Sequence, residues 1–167
     1  MITFNPDAAF SPDPVTTSTS ELRVPIAHVD LGPADVPTGF PHTPVGAVGQ
    51  LAAIEKAVLE SMSLPATRDI HSAWVQPGGP SVEEWELTRN VQSFLAAARQ
   101  SGVEKDLTTL VSATPAAGVV KGSDGPDWTV VCVLMDVQAV IRTESRMGYG
   151  FCSRMAWNPD EQRWLVA

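Results

Sequence analysis

The spacing of hydrophobic residues changes once along this 167-residue chain, near residue 105. Before that point apolar residues recur about every 3.6 residues, as on one face of an α-helix. After it they alternate with polar residues, as in a half-buried strand. The pattern predicts helices first and an antiparallel sheet second, an α+β domain with segregated elements. A long, curved sheet is expected to wrap its apolar face over the helices.

Two helices are predicted in the first half of the chain. The first begins after Thr43, a good N-cap, with Pro44 at the first helical position. His42 precedes this cap and is expected to pack back on the first turn. The second helix is predicted over 64–74, and the Gly/Pro-rich stretch QPGGP ends it.

A third helix is predicted from a capping box, a pair of side chains that satisfy the first backbone groups of a helix. Ser81 and Glu84 have the required spacing. Gly102 is the expected C-terminal stop. The apolar stripe of this helix is expected to contain Trp85, Val91, Phe94, Leu95 and Ala98.

Strands fill the rest of the chain. DLTTLVSATPA and AAGVVKG each predict a short strand, and SDGPD predicts a turn. The stretches 128–142 and 146–157 predict the two long antiparallel strands of a hairpin, and QRWLVA predicts a last strand after the turn NPDE. Gly148 and Gly150 are positions where the sheet can bend or another backbone can approach. The residues expected to face the core are Val131, Val133, Met135, Val137, Ala139, Ile141, Met147, Tyr149, Phe151, Met155 and Trp157.

The chain is predicted to hold one domain, residues 21–167, preceded by a flexible Pro/Ser/Thr-rich arm over 1–20. The stretch 21–31 has strand-like composition, but Pro25 restricts it to an edge or to an extended segment lying on the domain. Both ends are expected to be trimmed from a longer protein that carries an anchor.

Composition excludes some classes of partner. With 11 basic and 19 acidic residues the net charge is -8, which argues against non-specific binding to nucleic acid or to an anionic membrane surface. An apolar content of 44% predicts a packed globule. No apolar run is long enough to span a bilayer, and no signal peptide is evident.

Motifs for cofactors and metals are missing from the sequence. It contains no glycine-rich nucleotide loop, no zinc-protease helix motif and no paired C-x-x-C. Its histidines, His28, His42 and His71, lie in different segments without the spacing of metal ligands. We therefore expect neither a cofactor nor a metal.

An acid–base pair is the remaining catalytic hypothesis. His71 lies near Asp69 on the second helix, and Asp136 and Arg154 lie on adjacent strands, on the same face. If a pocket opens between helix and sheet, these groups could move protons. The alternative is structural: two residues apart, Asp69 and His71 do not share a helix face, and Asp136 and Arg154 would form a solvent-facing ion pair.

Cys132 and Cys152 can either pair or remain free. If the hairpin turns near Glu144, Cys152 lies opposite Asp136 and the sulfurs are too far apart. A turn nearer Arg142 would place the two cysteines opposite each other. Without a disulfide, both thiols would behave as small, half-buried hydrophobes.

Most of the tryptophans are expected in the core, and one is not. Trp128 begins its strand on the face away from the core. An exposed aromatic residue there would indicate a surface for a partner. The five tryptophans are Trp74, Trp85, Trp128, Trp157 and Trp164.

The order of elements resembles the nuclear transport factor 2-like superfamily of cone-shaped domains, which includes ketosteroid isomerases, polyketide cyclases and assembly-factor subunits of type IV secretion systems. The stretches VPTGFPHTPVGAV, ELTRNVQSFLAAA, MGYGFCSRMAW and RWLVA are similar to domains of actinobacterial conjugative elements. Those domains are themselves similar to extracytoplasmic conjugation proteins of Gram-positive bacteria. The resemblance covers residues from about 21 to the end. It implies a cone-like fold, and no catalytic residue carries over from the enzymes.

The resemblance implies a non-enzymatic interaction or scaffold domain of a conjugation or secretion-type machine. Its expected partners are other proteins of the transfer complex, with self-association also allowed, and its expected location is extracytoplasmic through a membrane anchor. The alternative is a small-molecule-binding protein or an enzyme with isomerase- or cyclase-like chemistry in the cone cavity. A cytoplasmic location is the alternative to the tethered one. Nucleic-acid processing is a third hypothesis, which the charge disfavours.

Overall fold

A computed structural model describes residues 30–100 and 102–167. Within these ranges three helices pack against a four-stranded antiparallel sheet, so the prediction of an α+β fold is confirmed. The predicted arm 1–20 and the stretch 21–29 lie outside the described residues. The elements are β1 (Asp30–Leu31), β2 (Pro37–Thr38), α1 (Pro44–Ser61), α2 (Leu64–Trp74), α3 (Glu86–Ala97), β3 (Leu110–Ser123), β4 (Trp128–Val140), β5 (Glu144–Asn158) and β6 (Arg163–Val166).

Helix α1 forms the centre of the core and begins where the sequence predicts. The Thr43 side chain accepts a hydrogen bond from the Gly46 backbone N–H (3.1 Å), which caps the helix. The helix packs mainly against β3 and β4. Its buried apolar residues include Ala47, Val48, Leu51, Ile54 and Val58.

The stretch that leads into α1 is held by close backbone packing. The Phe40 ring lies on Gly49, where a Cβ atom would come within 2.5 Å of it. A Cβ atom on Gly46 would lie 1.9 Å from the Pro41 carbonyl oxygen. The Trp164 indole donates a hydrogen bond to the same oxygen (3.0 Å). Glycine and aromatic residues in this stretch are therefore explained by packing.

Helix α2 has the predicted bounds, whereas α3 begins later than predicted. Ser81 and Glu84 do contact each other (2.8 Å), but within a turn that precedes the helix. The N-cap is Trp85, and its backbone is extended (φ -63°, ψ 125°). Its indole ring is almost fully buried. Burial of this large ring fixes the helix start more strongly than two exposed polar side chains can.

The predicted stop of α3 at Gly102 is also wrong. The helix ends at Ala97, and Arg99 adopts the left-handed conformation with φ 55°. The Gln100 N–H then donates to the Leu95 carbonyl (2.9 Å), which satisfies one of the last carbonyl groups of the helix. The left-handed position that ends α3 is therefore occupied by Arg99, whereas the sequence predicted the glycine at 102.

The two short strands predicted after residue 105 are one strand, β3, of 14 residues. Its register against β4 shifts between Pro115 and Ala117 and again between Val120 and Gly122. Such β-bulges add a residue to one strand and reverse the inside–outside alternation. The alternation therefore breaks without the strand ending.

The sheet has the order β3-β4-β5-β6, and the β4–β5 hairpin is paired from end to end. Val133, Met135 and Phe151 are buried, as the alternation predicts. Ile141 and Met147 were also expected in the core, but both are exposed, because they line an open groove at this end of the hairpin.

Cys132 and Cys152 lie directly opposite each other and form a disulfide. The register pairs Val140 with Glu144, so the turn is centred on Arg142. This is the second of the two registers considered from the sequence. The register with a turn at Glu144 is wrong.

Candidate functional site

The structure does not bring the three suspected catalytic residues together. His71 donates a hydrogen bond from Nε2 to the Pro80 carbonyl (2.8 Å) and packs edge-on against Trp85. Asp136 and Arg154 lie on the other side of the sheet from the helices, since their positions alternate with buried residues. His71 therefore has no catalytic partner among them.

Asp136 and Arg154 share a face, as predicted, but they do not form an ion pair. Asp136 is bound by Arg146 through two hydrogen bonds of 2.8 Å and 2.5 Å. This contact lowers the pKa of Asp136. Arg154 lies opposite Val130 instead. The two-residue shift of the turn changes which arginine meets the carboxylate.

A His–Asp pair does exist, between residues that the sequence does not connect. His42 Nε2 lies 2.6 Å from the Asp127 carboxylate. The imidazole stacks on Trp157, with 4.2 Å between ring centroids, and meets the edge of Trp164. His42 thus packs on the sheet rather than only on its own helix.

The His42–Asp127 pair ties the start of α1 to the turn between β3 and β4. Both side chains are partly exposed, at 38% and 65%. Within the described ranges no group of three His, Cys, Asp or Glu side chains could hold a metal ion. Because the pair lies on the surface beside aromatic rings, we assign it a structural role.

An open groove of about 1010 Å³ lies between α3 and the end of the β4–β5 hairpin. The chain before β3 closes one side of it. Ligand sites in proteins are commonly apolar concavities of this size. Its apolar wall is formed by Leu59, Met62, Phe94, Ala97, Val137, Ala139 and Met147.

Exposed hydrophobic residues cluster at the end of the β4–β5 hairpin, beside this groove. We define the hairpin-end surface as Leu107, Leu110, Val140, Ile141 and Met147, of which Ile141 and Met147 line the groove. These are five of the ten large hydrophobic residues that are exposed in the described part of the chain. Leu107 is fully exposed, and Met147 is 62% exposed. Clustered rather than scattered apolar exposure is typical of an interaction surface.

The charge at the groove is opposite to that of the whole chain. Arg99, Arg142 and Arg146 line it, with Asp106 as the one acidic residue among its lining. The chain as a whole carries a net charge of -8. Arg146 is paired with Asp136, so Arg99 and Arg142 supply the positive charge at the groove, which favours an anionic group on a bound partner.

A cluster of half-buried polar side chains, with one buried carboxyl behind them, lies at the inner end of the groove. The Asn90 side chain donates a hydrogen bond to the Tyr149 hydroxyl (2.7 Å), and both residues line the groove. Deeper in the core, on α1, lies Glu55, which is fully buried. Neither of its carboxylate oxygens has a hydrogen-bond partner within the described residues.

Burial keeps the groups of this cluster protonated. Burial and, to a smaller extent, the nearby Glu86 together raise the pKa of Glu55 to about 9. The pKa of Tyr149 is also raised, first by burial and then by Glu86 and Glu55. At neutral pH the cluster therefore holds a neutral carboxyl and a neutral phenol, both able to donate a hydrogen bond.

Sequence reasoning missed Glu55 although the pattern contained a signal. On α1 this residue follows Leu51 by four positions and precedes Val58 by three, so it lies on the apolar stripe. A carboxylate at a core position is costly unless it is paired or neutral. An acidic residue on the buried face of a helix therefore indicates either a partner or a raised pKa.

No family model, curated protein or solved structure matches this chain. In the described part of the chain, no helix is both long and apolar enough to cross a membrane. Function is therefore inferred from the groove, the exposed residues around it and the buried cluster behind it.

Proposed function

We propose that this chain is a non-enzymatic interaction domain of a conjugation or secretion-type machine. The observation that carries the proposal is the hairpin-end surface, a cluster of exposed apolar residues of which Ile141 and Met147 line an open groove. Burying such residues against a partner stabilises a complex by about 25 cal/mol per Å² of apolar area. The arginines around the groove favour a partner with acidic groups.

We also propose that the domain adopts the cone-like, nuclear transport factor 2-like arrangement of that superfamily. Three features support this: the order of three helices before the sheet, the bulges that bend β3, and the open groove between helix and sheet. In such a cone the groove is its wide end.

The proposed location is extracytoplasmic, with a tether to the membrane outside the described residues. The Cys132–Cys152 disulfide supports this location, since disulfides persist in oxidising compartments. Thiol labelling of protein taken directly from cells tests it. Two blocked cysteines that become reactive only after reduction are expected, and two free thiols would contradict the location.

The interaction is tested with a photo-crosslinking amino acid placed at Met147. The matched control position is Val119, an exposed hydrophobic residue that lies on the outer face of the sheet beside the disulfide. Cross-linking to another protein of the transfer complex is expected from Met147 and not from Val119. Equal cross-linking from both positions, or none from either, would remove the proposal.

A functional measurement accompanies the cross-linking. The double variant Ile141→Asp, Met147→Asp places two charges on the hairpin-end surface, whereas Val119→Asp places one on the control face. DNA transfer is expected to fall about tenfold or more in the double variant, because losing one apolar anchor costs 1–2 kcal/mol. Unchanged transfer, with both variants folded, would contradict a role for this surface.

A second candidate function uses the polar cluster at the inner end of the groove. Tyr149 lines the groove and is a neutral hydrogen-bond donor, which favours a small molecule with an acceptor group, such as a ketone, or acid–base chemistry on it. A panel of small ketones and phenols, followed by thermal shift, tests this. Shifts that vanish in Tyr149→Phe but persist in the control Val119→Ala, on the outer face of the sheet, are expected, and shifts that are equal in both variants would exclude the site.

A further inference from the structure

Strand β5 has a long open edge. Strand β6 pairs with it only from Met155 to Asn158, whereas β5 itself extends back to Glu144. Over the remaining residues β5 is bonded to β4 on one side. On its other side no strand of the described chain pairs with it.

The backbone groups on this edge have a defined direction. The Arg154 carbonyl accepts a hydrogen bond from the Ala167 N–H (2.9 Å), so the backbone N–H and C=O groups of Arg154 point away from β4. The direction of these backbone groups alternates from one residue to the next along a strand, and the β4–β5 register has no bulge here. The N–H and C=O groups of Cys152, Gly150, Gly148 and Arg146 therefore point outward as well.

The opposite edge of the sheet is protected at its centre. On β3, the Ala113 N–H donates to the Glu60 carboxylate (3.1 Å), and the Ala113 carbonyl accepts from Lys56 (3.0 Å). Two residues further on, Pro115 has no N–H to offer. Natural sheets use such devices to prevent strand addition. Along residues 146–152 the β5 edge contains no proline, and no side chain of the described residues caps it.

Space for an added strand is present beside the β5 edge. A cavity of about 520 Å³ lies in line with β6, between the β5 edge and the segment that leads into α3. Gly79, Pro80 and Trp85 line one side of it, and Phe151 and Cys152 line the other. A strand that continues the line of β6 would begin in this cavity.

The outer face of the edge favours an aromatic residue on the added strand. A Cβ atom at Gly148 or Gly150 would meet only the Leu134 side chain, at 3.8 Å and 3.9 Å. An aromatic ring opposite a strand glycine can lie over it and bury it. Here the ring would also reach Leu134, which is exposed.

The inner face of the edge favours a basic residue. Glu84 and Glu86 line the cavity and are both exposed. Arg154 lines the cavity as well, but its side chain lies on the outer face with that of Cys152. Side chains that point inward from an added strand would therefore meet two carboxylates.

We infer that the β5 edge is a docking site for an extended segment of a partner protein, in which aromatic and basic residues alternate. The segment runs antiparallel to β5. Its backbone hydrogen bonds to β5 begin where those of β6 end, beyond the bond between Ala167 and Arg154. Its aromatic residues cover Gly148 and Gly150, and its basic residues meet Glu84 and Glu86. The β5 edge borders the groove at Arg146 and Tyr149, but strand addition at this edge does not depend on the proposed function of the groove.

The probe for this site is a fluorescent peptide of about nine residues that alternates tyrosine and lysine. Its control has glutamate in place of each lysine. Saturable binding measured by fluorescence anisotropy is expected for the lysine peptide only, with slowed amide exchange at Gly148 and Gly150. Equal binding of the two peptides, or no binding of the lysine peptide, would overturn the inference.

Two variants of the β5 edge sharpen the test. Gly150→Pro removes one outward N–H from the β5 edge. Edge strands tolerate proline, so the protein should still fold, and binding of the peptide should weaken about tenfold. Gly150→Val keeps the N–H and fills the space for the ring, so binding should weaken several-fold in a protein that folds at least as well. The matched control is Gly118→Pro on the opposite edge, where the N–H also points away from β4. Equal affinity in Gly150→Pro, Gly150→Val and Gly118→Pro would refute strand addition at β5.

Discussion

Replacing Glu55 by glutamine should make the protein more stable at neutral pH and should change how its stability depends on pH. Glu55 is fully buried, and its carboxylate oxygens have no hydrogen-bond partner among the described residues. Its pKa is about 9 in the folded protein, compared with an ordinary value of 4.5. Glutamine has nearly the same shape and stays neutral at every pH.

The magnitude follows from proton linkage. Between pH 4.5 and 9 the folded protein holds a proton on Glu55 that the unfolded chain has lost. A raised folded-state pKa gives stability that is fully present below the unfolded pKa and is lost as the pH rises through the folded pKa. The free energy of unfolding therefore falls by about 1.4 kcal/mol per pH unit in this window. By pH 7 the loss caused by Glu55 is about 3 kcal/mol.

The assay is urea unfolding followed by tryptophan fluorescence at pH 4, 5.5, 7 and 8.5, for wild type, Glu55→Gln and the control Glu83→Gln. Glu83 is exposed in the turn before α3. The difference between Glu55→Gln and wild type should grow by about 3 kcal/mol from pH 4 to pH 7, and Glu83→Gln should follow wild type. The buried amide of glutamine can add a constant difference in the free energy of unfolding at every pH. If the difference between Glu55→Gln and wild type does not change with pH, Glu55 does not have a raised pKa.

Two further predictions concern stability. The double variant Cys132→Ala, Cys152→Ala, which opens a loop with a sequence separation of 20, should lower the free energy of unfolding by about 3 kcal/mol in urea titrations. Reductant should have no effect on this variant, and equal midpoints for variant and oxidised wild type would contradict the disulfide. Gly46→Ala should cost about 2 kcal/mol or more, because its Cβ atom would lie 1.9 Å from the Pro41 carbonyl. Gly122→Ala, which meets nothing within 4 Å, is its control, and similar melting temperatures for the two variants would argue against the close contact.

The sequence predicts the type and order of the elements because periodicity is a local property. Residues 64–74 form a helix with the predicted bounds, and Thr43 caps α1 as expected. The alternation over 128–142 correctly places Val133 and Met135 in the core. Each of these features depends on residues within a few positions of one another, which pattern and capping rules describe.

Element boundaries depended on contacts that the sequence does not contain. The capping box at Ser81 has the correct spacing, yet burial of Trp85 against the core decides where α3 begins. Both registers of the β4–β5 hairpin are compatible with the alternation of its strands. Pairing across the whole hairpin selects the turn centred on Arg142, and only then do the cysteines meet.

Of the candidate sites, one could be predicted from local sequence pattern and the others could not. An acidic residue on the apolar face of α1 is evident in the sequence, so Glu55 could have been predicted from local pattern alone. The meeting of His42 with Asp127, the groove between α3 and the hairpin, and the open edge of β5 could not. The sequence by itself determined which segments are helices and strands, because that choice follows from the spacing of apolar side chains. Only the tertiary structure decided which distant side chains share a surface, because that depends on how the sheet turns over the helices.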